Sequence, residues 1–456
     1  MRVSIVGTGY VGLVSGVCLA EKGHHVVCVD VDRTKVDRIN QGSPPIHERG
    51  LAELLRRHLG TTFRATTDLR EAVHDTDLSM IAVGTPFAGD EIDLRFIREA
   101  SRQIGAALGD KPDYHVVVVK STVVPGTTDD VVRPLLEEAS GKKAGGDFGV
   151  GMNPEFLREG EAVQDFLSPD RIVLGALDER TGAVMAQLYA GFAGVDTLRT
   201  SPRTAETIKY TANALLATMI SFSNEIGNLC AAIDGVDVVE VMRGVHLDRR
   251  LSPILPDGRR VVPAFTTYLE AGCGFGGSCF PKDVKALIAF GENAGARMRL
   301  LDAAIEVNTL QPHKVLALLE RHFPTLAGVE VAVLGLAFKP GTDDVRESPA
   351  LPVVRELLAR GAAVRAFDPV AMDEARRYLD EDAPAFAKTL PEAIEGAQAV
   401  LLMTRWPEFT DLARLLKGRT DQPVVIDGRR MLEPASVARY EGIGLGPREE
   451  NGALER

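Results

Sequence analysis

The 456-residue chain is too long for a single hydrophobic core and implies two or three domains. Its 45% hydrophobic and 25% charged residues are those of an ordinary soluble globular protein, and no run approaches the ~18 apolar residues of a membrane span. A net charge of −12 excludes a general binder of nucleic acid or anionic membrane, so an anionic ligand has to be held by local positive sites.

The first apolar strand, over 2–6, runs directly into Gly7-Thr8-Gly9-Tyr10-Val11-Gly12. A helical apolar pattern follows to Glu21, and a second strand over 26–29 ends at Asp30. A lone GxGxxG is weak, but here it lies between a strand and a helix, with an acid 18 residues after Gly12. That context is the dinucleotide fingerprint. The glycines let a pyrophosphate approach the helix N-terminus. Asp30 is expected to accept hydrogen bonds from a ribose and to repel the extra phosphate of NADP, so NAD is the expected cofactor. A structural glycine-rich turn is the alternative. The N-terminus shows no basic-apolar-small signal pattern, and the five cysteines are few, odd in number and without zinc-type spacing. A reduced, cytoplasmic protein without a metal is expected. Cys18, Cys28 and Cys230 lie in apolar stretches and read as core packing.

Further strands are expected over 78–83, 116–120 and 148–152, the last containing Gly151. They end in Gly84-Thr85-Pro86, Ser121-Thr122 and Asn153-Pro154-Glu155. Ligands of open parallel sheets gather beyond the carboxyl ends of the strands, which places Thr85, Thr122 and Glu155 along one crevice with the cofactor. Taken singly, Thr85 or Thr122 is as readily a turn or cap residue.

The stretch 204–233 reads as one long helix, apolar nearly all round (Ala212, Leu215, Leu216, Met219, Ile220). Such a helix is buried on several sides, and it is expected to link the two halves and to form a subunit interface. Glu206, Lys209 and Asn213 share one of its faces. A lysine on a buried helix needs a carboxylate, a ligand or a lowered pKa. A solvated stripe is the alternative. A basic run over 243–260 follows, with a proline-rich loop.

The densest stretch is Tyr268-Leu269-Glu270-Ala271-Gly272-Cys273-Gly274-Phe275-Gly276-Gly277-Ser278-Cys279-Phe280-Pro281-Lys282-Asp283. Its glycines permit positive φ and let a ligand lie against the backbone. Pro281 suits the first position of a helix. Cys279 then precedes a helix N-terminus, where orphan N–H groups and the dipole favour a thiolate or an oxyanion. Glycine bed, cysteine and helix start together suit covalent chemistry on a bound carbonyl. The bland alternative is a tight turn around a small buried cysteine.

A strand over 329–334 leads into Gly335, and a helix is expected near Ser348-Pro349 as cap and first residue. Strands over 363–367, 399–403 and 424–426 complete a second unit that lacks the full dinucleotide glycines. It is expected to hold the nucleotide end of a substrate. Asp343-Asp344 is an incomplete metal set, and a pair with Arg346 is expected instead. The fold class is therefore α/β: two Rossmann-like doubly wound parallel-sheet domains joined by a long central helix. The expected divisions are 1–200, 201–325 and 326–440, with a mobile tail over 441–456.

The glycine turn, Asn153-Pro154-Glu155-Phe156-Leu157-Arg158-Glu159-Gly160, the Gly274 to Asp283 block and Ala337-Phe338-Lys339-Pro340 through Ser348-Pro349 resemble, in order, the UDP-glucose/GDP-mannose dehydrogenase family. Asp170-Arg171-Ile172-Val173 is similar to its UDP-glucose branch. The resemblance implies a four-electron oxidation in which UDP-glucose, two NAD⁺ and water give UDP-glucuronate. It implies that Cys279 is the nucleophile, passing through a thiohemiacetal and a thioester. It assigns Lys209 and Asn213 to the C6 oxygen, Asp283 to water and protons, Thr122 to the cofactor side, and Glu155 there also as hydrolytic base. The NAD site would comprise Gly7, Gly9, Tyr10, Val11, Gly12, Asp30, Lys35, Thr85, Lys282 and Arg346. Gly151, Asn153, Pro154, Phe156, Leu157, Tyr268, Leu269, Gly272, Phe275, Gly276 and Lys339 would line the substrate, and the chain would be a homodimer with no nucleic-acid or membrane partner. One departure is Pro263, 16 residues before Cys279, where many UDP-glucose enzymes carry an arginine; Arg259 or Arg260 is the expected substitute. The alternatives are the same chemistry on GDP-mannose or a UDP-N-acetylhexosamine, a two-electron dehydrogenase needing no cysteine, and a non-catalytic nucleotide-sugar binder.

Overall fold

The computed structural model describes residues 1–88, 91–380 and 383–447, and the chain divides into two compact units, Met1–Ala212 and Asn213–Arg456. In the first unit we label β1 (Arg2–Val6), α1 (Tyr10–Glu21), β2 (His25–Val29), α2 (Arg33–Asn40), β3 (Phe63–Thr66), β4 (Leu78–Ile81), β5 (His115–Val119), β6 (Phe148–Met152), β7 (Arg171–Ala176) and β8 (Asp196–Thr200). They form one sheet in the order β8-β7-β6-β5-β4-β1-β2-β3. The order reverses between β1 and β4, which is the switch point where such sheets bind ligands. Its central strands are short apolar runs buried on both faces, as β5 (His-Val-Val-Val-Val) illustrates. Helix α1 is buried from Gly12 to Ala20. Leu13, Val14, Val17 and Leu19 are fully buried there, each contributing about 1.5–3 kcal/mol. One pairing departs from the expected parallel sheet. β6 and β7 run antiparallel, because residues 153–170 return the chain without a crossover.

The long helix, α3, spans Pro202–Cys230, starting two residues before and ending three before the expected limits. The division between the units falls within it, at Ala212 and Asn213. The second unit continues with α4 (Val238–His246), α5 (Phe280–Asn293), α6 (Arg299–Glu320), β9 (Glu330–Leu334), α7 (Ala350–Ala359), β10 (Ala363–Phe367), β11 (Ala385–Phe386), β12 (Ala399–Leu402), β13 (Val424–Asp427) and β14 (Tyr440–Gly442). Its sheet, β11-β10-β9-β12-β13-β14, is parallel throughout and repeats the topology of the first. Ser348 Oγ accepts from the Ala350 N–H at 3.4 Å, but Pro349 is the N-cap of α7, so the expected cap and first residue each lie one position too early.

The expected boundary at 440 falls inside β14. Arg430 donates to both Asp237 oxygens at 2.9 and 2.7 Å and to the Ile443 carbonyl at 3.0 Å, and Gly235 N–H donates to Pro447 O at 2.9 Å. These bonds fasten 440–447 to the end of α3 and the start of α4; residues 448–456 of the expected tail lie outside the described residues. Among the described residues, no helix is long and apolar enough to cross a membrane.

Candidate active site

The β1–α1 turn uses its three glycines differently. A Cβ on Gly7 (φ +105°) would come within 2.5 Å of the Ala82 carbonyl oxygen, and one on Gly12 within 2.0 Å of the Gly7 oxygen. Gly9 meets nothing within 4 Å. Two glycines thus close the turn, and the third leaves clear ground before the first N–H groups of α1, which have no partner within the helix. Asp30, at the end of β2, accepts from Thr8 N at 2.9 Å, Thr8 Oγ1 at 2.5 Å and Asp32 N at 3.0 Å. Burial works to raise its pKa, but these donors and the Lys35 charge prevail and hold it lower. An ionised acid with acceptor positions left is what a ribose needs. Turn and acid fit the NAD expected from the sequence. Lys35 is exposed on α2, Val11 is half-buried, and the Tyr10 hydroxyl bonds Glu48 and accepts from Gly160 N at 2.7 Å. Tyr10 therefore anchors the loop after β6. Thr85 Oγ1 donates to Thr122 O at 2.8 Å, joining the ends of β4 and β5.

Beyond β6, Glu155 and Lys209 form a buried ion pair at 2.9 Å, and Leu157 N donates to the other carboxylate oxygen at 2.7 Å. Burial pushes the Glu155 carboxyl up, but Lys209 and these hydrogen bonds outweigh it, and the net effect is a lowered pKa. The carboxylate is thus held ionised beside Lys209. The half-buried Phe156 ring has Arg171 over it at 3.9 Å and the Lys209 ammonium at 5.5 Å. Glu206, Lys209 and Asn213 are all buried, which rules out a solvated stripe. Glu206 accepts from Gly126 N at 2.5 Å, Thr128 N at 2.8 Å and Thr128 Oγ1 at 2.6 Å, and burial raises it to about 7. Two expected substrate residues face protein instead. Asn153 is engaged by Lys120, Tyr189 and the Val173 carbonyl, and a Cβ on Gly151 would strike Met185 Sδ at 2.4 Å. Pro154 is buried beside them.

In the second unit α5 begins at Phe280, with Cys279 as its half-buried N-cap and Pro281 second in the helix. Ser278 Oγ lies 3.6 Å from Cys279 Sγ. The Asp283 N–H donates to the Cys279 carbonyl at 2.8 Å. Both Asp283 oxygens are engaged: Asn213 Nδ2 donates to Oδ2 at 2.6 Å and Lys282 Nζ pairs with Oδ1 at 2.6 Å. Asp283, Asn213 and Lys282 therefore form one side-chain group in the first turn of α5, and Cys279 joins it through the backbone.

The glycines before them do not form the open bed the sequence suggested. A Cβ on Gly276 would lie 2.2 Å from Glu347 O, one on Gly277 2.8 Å from the Phe338 ring, and one on Gly272 3.1 Å from Gly428 O. Protein fills these spaces. Three side-chain amides unforeseen from the sequence hold the loop: Asn224 accepts from Gly272 N (2.8 Å), Gln311 donates to Gly272 O (2.9 Å), and Asn308 pairs both ways with Phe275 (2.8 and 3.0 Å). Polar residues on otherwise apolar helices were the available signal. Tyr268 and Phe275 flank the Phe280 ring at 6.3 and 6.0 Å, and Leu269 is buried. Cys273 is fully buried, and burial raises its thiol.

At the carboxyl edge of the second sheet, Lys339 is half-buried beside Phe338 and Arg346 pairs with Asp344 at 2.8 Å. Arg429 donates to Gly274 O at 3.0 Å and Met403 O at 2.7 Å, leaving Nη2 buried and unpartnered among the described residues. Asp368, one residue beyond β10 as Asp30 is beyond β2, accepts from Leu336 N at 2.8 Å, Ala337 N at 3.0 Å and Trp406 Nε1 at 3.0 Å. It engages the amide one residue after Gly335, as Asp30 engages the Thr8 amide one residue after Gly7. Of the two arginines considered in place of Pro263, Arg260 is committed to Leu247 O and Ser252 O at 2.9 and 2.8 Å, while Arg259 stays exposed.

Sequence models of the UDP-glucose/GDP-mannose dehydrogenase family match in three parts: the NAD binding domain over residues 1–193, the central domain over 203–310 and the UDP binding domain over 332–434. UDP-glucose 6-dehydrogenase AglM of Haloferax volcanii is 45% identical over 97% of this chain and 100% of that protein. GDP-mannose 6-dehydrogenase of Azotobacter vinelandii is 41% identical over 91% and 94%. A solved UDP-glucose dehydrogenase from Pyrobaculum islandicum superposes with a TM-score of 0.88 at 42% identity, covering 97% of this chain and 98% of that one. On this full-length similarity, the chain belongs to the UDP-glucose/GDP-mannose dehydrogenase family.

Proposed function

We propose that the chain oxidises the C6 alcohol of UDP-glucose to a carboxylate, using two NAD⁺ and one water. NAD, when bound at the β1–α1 turn with Asp30 on its ribose, supplies the hydride acceptor for each step. The first oxidation gives an aldehyde, and the Cys279 sulfur adds to its carbonyl carbon to form a thiohemiacetal. The second converts that carbon to a thioester, which water hydrolyses, releasing the thiol and the acid. Asn213 and Lys209 serve the C6 oxygen, as donor and as cation. Asp283 fixes Asn213 and sets the first turn of α5. Glu155 holds Lys209 through their buried ion pair. The observation that carries the chemistry is the half-buried Cys279 as N-cap of α5, one turn before the buried Asp283–Asn213 pair; a two-electron dehydrogenase does not need that cysteine.

For the substrate, the TM-score of 0.88 to a UDP-glucose dehydrogenase, against 0.54 to a GDP-mannose dehydrogenase from Pseudomonas aeruginosa, favours UDP-glucose. The 41% identity to a GDP-mannose enzyme keeps that sugar as the second reading. The product would supply acidic sugar for polysaccharides, and the acidic, cysteine-poor composition suits the cytoplasm. We read the chain as a homodimer through α3, whose Leu215, Phe222 and Leu229 recur at seven-residue spacing and are at least half exposed. The test is NADH produced per molecule of UDP-glucose, GDP-mannose and UDP-N-acetylhexosamines. Two equivalents from UDP-glucose support the proposal; one equivalent, or preference for another sugar, overturns it.

A further inference from the structure

Three ionisable side chains of the first unit cluster beyond β5 and β6: Lys120, Glu155 and Lys209, only 3%, 6% and 4% exposed. Lys120 is the member with no role so far. Its Nζ donates to Asn153 Oδ1 at 2.8 Å, an oxygen that also accepts from the Tyr189 hydroxyl. Asn153 is pinned in turn by its Nδ2 to Val173 O at 2.9 Å and by its N–H to Val119 O at 2.8 Å. Glu155 follows two residues later. An ammonium has three donors, and burying one is costly when an apolar strut would brace the loop equally well. Two ammonium groups here face one carboxylate.

We propose that Lys120 is a positioning residue for the oxidation: through Asn153 it braces the loop bearing Glu155, and its positive charge beside the Glu155–Lys209 pair favours an oxyanion developing on the substrate. This rests on the nucleotide-sugar dehydrogenase reading above. Lys120 touches no reacting atom and acts through the Glu155–Lys209 pair. The groups facing it are Glu155 from the loop after β6, Lys209 from α3 and the Tyr189 hydroxyl across Asn153, with the Phe166 ring 5.9 Å from Nζ. Burial, aided by Lys209 and opposed by Glu155, brings the Lys120 ammonium down to about 8. Its charge is therefore present at neutral pH and lost above it.

Lys120→Gln keeps a donor for Asn153 and removes the charge. With UDP-glucose as the probe, native kcat is expected to fall above pH 8, whereas the Gln variant should be about tenfold slower at pH 7 and lack that fall, with an unchanged KM for NAD. Lys120→Arg should restore part of the rate and move the fall to higher pH. A Gln variant with native rate and profile overturns the proposal, as do equal losses in both variants with no change of profile. Should the Gln variant not fold, unfolding midpoints of the native and Arg proteins decide. A lysine at about 8 when folded and 10.5 when unfolded stabilises progressively between those values, so the native midpoint should rise there relative to Lys120→Arg, and parallel curves overturn the proposal. A native protein inert toward every nucleotide sugar sinks the parent reading, whereas native turnover with no Lys120 effect sinks only this one.

Discussion

At the scale of single residues, charge and nucleophilicity are legible in sequence, but the direction of a side chain is not. Cys279 and Asp30 stand out because their chemical types sit at strand or helix ends. Cys279→Ser should abolish steady production of the acid, with loss of the second NADH equivalent as the readout. Asp30→Ala should weaken NAD binding and relax discrimination against NADP, measured by titrating both. Glu155→Gln leaves Lys209 buried against a neutral amide and should cost about 3–5 kcal/mol in chemical unfolding. The two buried glutamates respond oppositely to pH. Glu155 is lowered, so its stabilising share exists above the unfolded carboxylate value and disappears as pH falls through the folded one. Glu206 is raised from 4.5 to about 7, so its share is complete below 4.5 and lost as pH rises through 7. Glu206→Gln should therefore flatten that part of the midpoint-versus-pH curve. Asn153 and Gly151 were read toward ligand because their place in a motif does not reveal that Lys120, Tyr189 and Met185 occupy their polar and open sides.

At the scale of elements, periodicity located nine strands and the long helix to within a few residues, since apolar runs are strong signals, and it left β3, β7, β8, β11 and β14 unmarked. The antiparallel β6–β7 pair escaped, because no local pattern states which way a returning strand runs. Glycine density was informative and also misleading. It marked both loops, yet only contacts separate a glycine that admits a ligand from one that admits protein. Gly9→Ala should leave stability within ~0.5 kcal/mol while weakening NAD binding about tenfold or more, since its side is open and at the start of α1. Gly277→Ala should cost roughly 1–3 kcal/mol, combining φ +85° with a contact 2.8 Å from Phe338. Calorimetry with NAD titration distinguishes the two classes.

At the scale of the whole molecule, two doubly wound units were legible from the recurrence of strand, glycine and helix, and the six-stranded second sheet repeats the order of the first six strands of the eight-stranded one. The long helix was expected to form a subunit interface, but which of its residues stay exposed was not legible, because sequence does not separate a face covered by its own chain from one left for a second copy. Phe222→Lys should convert the protein to monomer in sedimentation experiments if that stripe is the interface. The repeated topology also shows how one scaffold divided its work. In the first unit Asp30 takes one amide of the glycine turn, that of Thr8; in the second, Asp368 takes two, those of Leu336 and Ala337, together with the Trp406 indole N–H. A pyrophosphate approaching the second turn would have to displace Asp368 from both amides, whereas in the first turn the carboxylate holds only one.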